Sequence, residues 1–289
     1  IEDNLSNSEA LKRKFDQNVV FTNPNKSDLY FNSELLDCFS DLEIIVTAST
    51  GTVHIDFIEC DKRNIRIISL KNEKKFLAAV TSTSELAFTL TLMSIRNVIG
   101  ASNSILENKW DYSPFIGNQL SSLNFLIFGY GRLGAIYIDY LIPWTKNIFV
   151  YDPYVTVPKN KGIQVSNLNE ILPKIDVIAI HIHAENNHKF IDNKILSYCK
   201  NGVQIINTSR GEVVDEELII KLLKSNKIKY STDVIDREHD FLNSKLLDLY
   251  KKHPNRNLII TPHIAGMSHE AMELAYNRVI DLFLKSIDD

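Results

Sequence analysis

From about residue 120 onward, short β-branched apolar runs alternate with stretches whose apolar positions recur at helical spacing. The runs "LNFLIF" (123–128), "NIFVYD" (147–152), "IDVIAIHI" (175–182), "VQIINTS" (203–209), "IKYSTDV" (228–234) and "LIIT" (258–261) read as strands. "GRLGAIYIDYLI" (131–142) and "DEELIIKLLKSN" (215–226) read as helices between them. Strands apolar on both faces and joined by helices imply a buried parallel sheet, hence a doubly wound α/β domain. The first 80 residues carry a smaller α/β pattern, with strands at 42–49 and 65–70 flanking a helical stretch at 55–64. "TSELAFTLTLMSIRNVIGASNSIL" (83–106) predicts one long helix, N-capped by Thr83 or Ser84 and long enough to link two domains. The tail at 268–287 predicts an amphipathic helix. Two domains with a cleft between them are expected.

Composition narrows the partners. A net charge of −4 over 289 residues, with scattered lysines, gives no electrostatic reason for nucleic acid or an anionic membrane. Cys38, Cys60 and Cys199 form no CxxC pair, which argues against a zinc site or disulfide framework and suits a cytoplasmic protein. No apolar run reads as a membrane span; the longest, 86–95, is bracketed by Glu85 and Arg96. The start, "IEDNLSN", is polar, unlike a signal peptide, and lacks an initiator Met, so residues are expected to precede it.

The first chemistry lies in "FLIFGYGRLGAI", which holds Gly129-x-Gly131-x-x-Gly134 between a strand and a helix. Asp152 ends the next strand, as the dinucleotide fingerprint demands. The first glycine permits the turn, the second admits the pyrophosphate, and the third packs helix on sheet. The helix N-terminus offers N–H groups to phosphate. Asp152 can accept from both ribose hydroxyls and repels a 2′-phosphate, so NAD is expected rather than NADP.

Three further residues follow successive strand ends: Arg210 in "INTSRGE", Glu238 in "DREHD" and His263 in "TPHIAG". Strand ends of such a sheet converge on one rim. Arginine offers a planar fork for a carboxylate, although a salt bridge to Asp215 would also account for Arg210. A carboxylate beside an imidazole fixes its tautomer, as a general acid/base requires. Beside an NAD site, the three suggest carbonyl/alcohol interconversion.

In order and spacing, "GYGRLG…VYDPY…INTSRGEVVDEE…DV…E…ITPHIAG" resembles the D-isomer-specific 2-hydroxyacid dehydrogenases, the group that includes D-3-phosphoglycerate dehydrogenase. "VTASTGTVHID" (46–56) resembles that family's substrate loop and 81–97 its interdomain helix. The resemblance implies a Rossmann NAD-binding domain over 83–267 and a flavodoxin-like substrate domain over 1–82, rejoined by 268–289. It makes Arg210, Glu238 and His263 the catalytic trio, with Arg210 on the substrate carboxylate and His263 moving the proton. It places Thr50 and Gly51 on the substrate, Asp233 on the nicotinamide amide, and Arg132, Leu133, Pro153, Thr208 and Gly266 around the cofactor. A homodimer is implied as well. Two departures stand out: Glu238 is followed by His239 and Asp240 rather than proline, and the family's N-terminal strand is absent or partial.

Other histidines read more plainly. His54 lies near the substrate loop with a structural role favoured; His181 and His183 end a strand near the cofactor without a third metal ligand. His188, His239, His253 and His269 read as solvated, as do Lys71, Lys74 and Lys75, which could otherwise meet a substrate phosphate. Two other readings remain: an NAD(H)-sensing dimeric regulator on the same fold, and a relative oxidising formate or phosphite.

Overall fold

The computed structural model describes residues 5–23, 29–52, 54–252 and 257–288, and only the backbone of Lys74, His239 and Asp288. Residues 1–4 and His253 therefore lie outside the described residues, as do the side chains of His239 and Lys74. The chain divides into two compact units, Ile1–Val80 with Met267–Asp289, and Thr81–Gly266.

The first unit is built on three parallel strands, β1 (Val19–Thr22), β2 (Ile44–Thr47) and β3 (Arg66–Ser69), with β2 in the middle. Alternate residues of β2 serve opposite faces. Ile45 packs with Val20, Phe31, Leu35 and Ile65, whereas Ile44 and Val46 pack with Val279 from the helix His269–Asp288. Each fully buried aliphatic side chain stabilises the unit by roughly 1.5–3 kcal/mol. Strand β1, expected to be absent or partial, is a four-residue strand between Asn18 and Asn23 that pairs in parallel with β2.

The second unit carries seven strands: β4 (Phe125–Phe128), β5 (Ile148–Tyr151), β6 (Ile163–Gln164), β7 (Val177–Ile180), β8 (Val203–Asn207), β9 (Ile228–Thr232) and β10 (Leu258–Ile260). All pair in parallel in the order β10-β9-β8-β7-β4-β5-β6. Phe125 and Ile127 face the helices Ser82–Ile95 and Arg132–Leu141; Leu126 and Phe128 face the other core. Strand order reverses at β4, so the ligand crevice of this doubly wound sheet opens at the C-terminal ends of β4 and β7. Only the two-residue β6 escaped the sequence pattern.

Two helical expectations need correction. The stretch 83–106 is two helices, Ser82–Ile95 and Val98–Leu106, and Thr81 rather than Thr83 or Ser84 precedes the first. Asn97 breaks it with φ of 51°, its amide donating to the Phe115 and Ile116 carbonyls while its oxygen accepts from Lys229 Nζ at 2.7 Å. Asparagine enters the left-handed region cheaply, so these bonds outweigh helix continuation. Moreover, Lys75–Ile95 is long and apolar enough by composition to cross a membrane, contrary to the sequence reading. Ala87, Leu90 and Ile95 of that stretch are buried in the second unit's core, which explains the composition.

Among the described residues, the imidazoles of His54 in the first unit and His181 in the second are shielded from water. Burial lowers His54 from the usual 6.5 to about 4, and His181 likewise. The unfolded chain thus binds more protons than the folded one between pH 6.5 and about 4. Stability is complete above that window and is lost as pH falls through it, by up to about 3 kcal/mol per ring. Urea unfolding across the window measures this, and His54→Gln or His181→Gln is expected to flatten the slope; an unchanged slope in both refutes the account.

Candidate active site

The glycine loop follows β4 directly. Gly129 has φ of +95°, and a Cβ there would lie 2.6 Å from the His181 carbonyl oxygen, so only glycine fits. A Cβ on Gly134 would lie 2.1 Å from the Gly129 oxygen, which is the close helix–strand packing expected of the third glycine. Gly131, by contrast, has nothing within 4 Å of a built Cβ. It precedes the helix Arg132–Leu141, whose first turn receives no side-chain cap. Open space above uncapped helical N–H groups suits a phosphate. Gly131→Ala is therefore expected to leave the unfolding free energy within about 1 kcal/mol of wild type while weakening NAD binding at least tenfold. Titration calorimetry beside urea unfolding checks it, and unchanged affinity would count against a phosphate there.

Asp152 lies where β5 ends, and three backbone N–H groups donate to it: Tyr130 to Oδ2 at 2.7 Å, Tyr154 and Val155 to Oδ1 at 2.8 and 3.0 Å. The acid thereby ties the glycine loop to the loop after β5. Pro153 beside it is exposed, and Leu133 accepts from Ser84 Oγ at 2.9 Å through its carbonyl. His181 packs against Tyr137 with ring centroids 4.9 Å apart, and no cluster of metal-ligating side chains occurs among the described residues.

On the other side of β7, the turn after β8 is shaped by Asn207, which is fully buried. Its oxygen accepts from the Ser209 N–H and hydroxyl, and its amide donates to the Arg210 carbonyl at 3.0 Å. This Asx-type turn delivers Arg210 half-exposed, donating to the Ser209 carbonyl at 2.7 Å. Asp215 instead caps the helix Glu216–Lys224 and pairs with Lys189 at 3.6 Å. Among the described residues no carboxylate pairs with Arg210. Gly211 lets this turn cross Ile235, whose carbonyl carbon and oxygen would both lie 2.0 Å from an added Cβ. The sequence reading overlooked Asn207 and Gly211; the asparagine at a strand end was the available signal.

Asp233, 1% exposed, organises the loop after β10. It accepts from Thr261 Oγ1 at 2.6 Å and from the N–H groups of Ile264 and Ala265 at 2.9 and 2.8 Å. Burial raises its pKa, an effect those bonds oppose. Held by this loop, His263 takes φ of 52°, its own N–H donating to the Asp233 carbonyl at 3.0 Å. Arg237 is also left-handed, with φ of 52°, and turns the chain so that Glu238 faces back. Glu238 Oε2 meets His263 Nδ1 at 2.6 Å. The acid thus reaches the imidazole without the proline that follows it elsewhere in the resembling family. A carboxylate acceptor places the proton on Nδ1 and leaves Nε2 with no protein partner among the described residues. Thr208, 6% exposed, has a buried hydroxyl without a partner among the described residues, and Gly266 is open around its Cα.

Arg210, Asp233, Glu238 and His263 thus belong to the second unit with the glycine loop, whereas Thr50 and Gly51 belong to the first, in the loop after β2. His188 and His269 are exposed, as are Lys71 and Lys75.

Residues 88–265 match the model of the D-isomer specific 2-hydroxyacid dehydrogenase NAD binding domain. D-3-phosphoglycerate dehydrogenase of Archaeoglobus fulgidus is 27% identical over 250 residues, 85% of this chain and 45% of that protein. Hydroxypyruvate reductase of Thermotoga maritima is 25% identical over 259 residues, 88% of this chain and 81% of that one. The chain thus spans about half the length of the curated D-3-phosphoglycerate dehydrogenases it matches. Among solved structures, D-lactate dehydrogenase from Aquifex aeolicus, complexed with NAD and lactic acid, superposes with a TM-score of 0.79 at 25% identity, over 97% of this chain and 87% of that one. The chain belongs to the D-isomer-specific 2-hydroxyacid dehydrogenase family, and residues 88–265 are its NAD-binding domain.

Proposed function

We propose that the protein is an NAD-dependent oxidoreductase interconverting a D-2-hydroxy acid and its 2-keto acid. The observation that carries this reading is the Glu238–His263 pair on the same rim as the glycine loop, with an arginine that pairs with no carboxylate among the described residues. When bound, NAD supplies the hydride acceptor and NADH the donor. His263 Nε2 donates a proton to the carbonyl oxygen in reduction and takes it from the hydroxyl in oxidation. Glu238 keeps Nδ1 protonated and balances the charge of the doubly protonated ring. Arg210 binds the substrate carboxylate as a planar fork. Gly129, Gly131, Arg132, Leu133, Gly134, Asp152, Pro153, Thr208, Asp233 and Gly266 hold the cofactor. Thr50 and Gly51 are assigned to the substrate carboxylate on their sequence position, through their backbone N–H groups.

NADH oxidation with a panel of 2-keto acids tests the reading. Hydroxypyruvate and pyruvate come first, because the Thermotoga relative is named a hydroxypyruvate reductase and the Aquifex structure holds lactic acid. Tight NADH binding without turnover of any keto acid would favour a nucleotide-sensing role instead. A cytoplasmic homodimer is the proposed form. Leu106 (83% exposed), Trp110 (94%), Tyr112 (80%) and Ile116 (72%) leave large apolar side chains in water along one stretch of the second unit, as a subunit interface would require. Sedimentation of wild type against Trp110→Glu decides that point.

A further inference from the structure

The loop after β2 is tied to the interior of the first unit by a chain of hydrogen bonds whose direction can be deduced. Ser49 Oγ lies 2.6 Å from the Gly51 carbonyl oxygen. A carbonyl only accepts, so the single Ser49 hydroxyl proton points at Gly51. Thr47 Oγ1 lies 3.0 Å from Ser49 Oγ, which must then accept, so Thr47 donates. His54 Nε2 lies 3.3 Å from Thr47 Oγ1, whose proton is already engaged, so the imidazole donates there. The order is therefore His54 Nε2–H to Thr47, Thr47 to Ser49, and Ser49 to Gly51.

That order requires His54 as the Nε2–H tautomer. Its Nδ1 is buried without a partner among the described residues, as a lone pair rather than a second proton would be. Burial also lowers the ring to about 4, so it is neutral near pH 7. Thr47 is fully buried and His54 is 8% exposed, whereas Thr50 at the far end is exposed. The interior end of the relay is thus rigidly packed and its outer end lies in the loop. Ser49 is further pinned by its carbonyl, which accepts from the Leu70 N–H at 3.1 Å.

We infer that His54, Thr47 and Ser49 form a positioning relay that fixes the Thr50–Gly51 segment, so that His54 governs substrate affinity without touching substrate. The inference rests on the proposed assignment of Thr50 and Gly51 to the substrate carboxylate.

The test uses the full chain with four single variants and one double variant. Ser49→Ala and Thr47→Val each cut the relay, His54→Leu removes its first donor, and His54→Gln returns an N–H near the Nε2 position. The first three are expected to raise KM for the best 2-keto acid about 3- to 10-fold, the worth of one neutral hydrogen bond. Turnover number and NAD affinity are expected to stay within twofold. His54→Gln should recover most of the loss, and Thr47→Val combined with Ser49→Ala should cost no more than either alone. Amide exchange of Thr50, Gly51 and Thr52 is expected to quicken in the first three variants and to slow again in His54→Gln. Unchanged exchange in all of them overturns the relay, as do additive effects or failure of His54→Gln to restore. If wild-type protein turns over no keto acid, the functional reading fails, and amide exchange still decides the relay. If exchange quickens while KM stays constant, the relay exists but does not govern substrate affinity, and the inference fails.

Discussion

His263→Ala is expected to lower the turnover number by about 10²–10⁴-fold, the usual worth of a positioned acid/base. NAD affinity should stay within about threefold, because the glycine loop and Asp152 lie on other strand ends. The fold should hold as well: the imidazole is 31% exposed, and among the described residues its single polar side-chain contact is Glu238. Steady-state kinetics with calorimetric NAD binding separate these effects. Near-normal turnover would remove His263 from the chemistry. Glu238→Gln is the graded companion: an amide oxygen still accepts from Nδ1 and keeps the tautomer, while the charge that balances a protonated ring is gone. Its loss should be smaller than that of His263→Ala, and an equal or larger loss would mean that Glu238 acts on substrate directly.

Gly211→Ala is expected to destabilise the second unit by more than about 4 kcal/mol, a size reserved for backbone collisions and broken cores. The built Cβ meets the Ile235 carbonyl carbon and oxygen at 2.0 Å, and neither is the end of a flexible side chain. Relief needs the two strand-end turns to separate, moving Arg210 and the segment that leads to Glu238 together. Gly202→Ala is the matched control, since Gly202 has φ of +84° but open space around it. It should cost only about 1 kcal/mol. Urea unfolding of both measures the difference, and similar values would show that the crossing yields cheaply.

Much of the second unit was readable because its strands are apolar on both faces, a signal that survives without tertiary context. The same holds for the glycine loop, where backbone geometry requires Gly129 and Gly134. What stayed hidden depends on partners distant in sequence. Asn97 ends a helix only because the Phe115 and Ile116 carbonyls and Lys229 meet its amide. Gly211 drew no notice because nothing local reports that Ile235 crosses it. For Glu238, its place after a strand end put it in the expected trio, yet the left-handed Arg237 that turns it toward His263 was not legible. Strand β6, with only two residues, is too short to show a period.

The first unit's chain arrangement has a consequence for biosynthesis. Its sheet is complete by Ser69, but the helix that covers Ile44, Val46 and Ile68 begins at His269, about 200 residues later. At ribosomal speeds this apolar face waits roughly 10–40 s for its cover. The second unit is contiguous and can fold during that interval. Nascent chains should therefore acquire the nucleotide-binding unit first, with the other unit maturing after it and more dependent on chaperones.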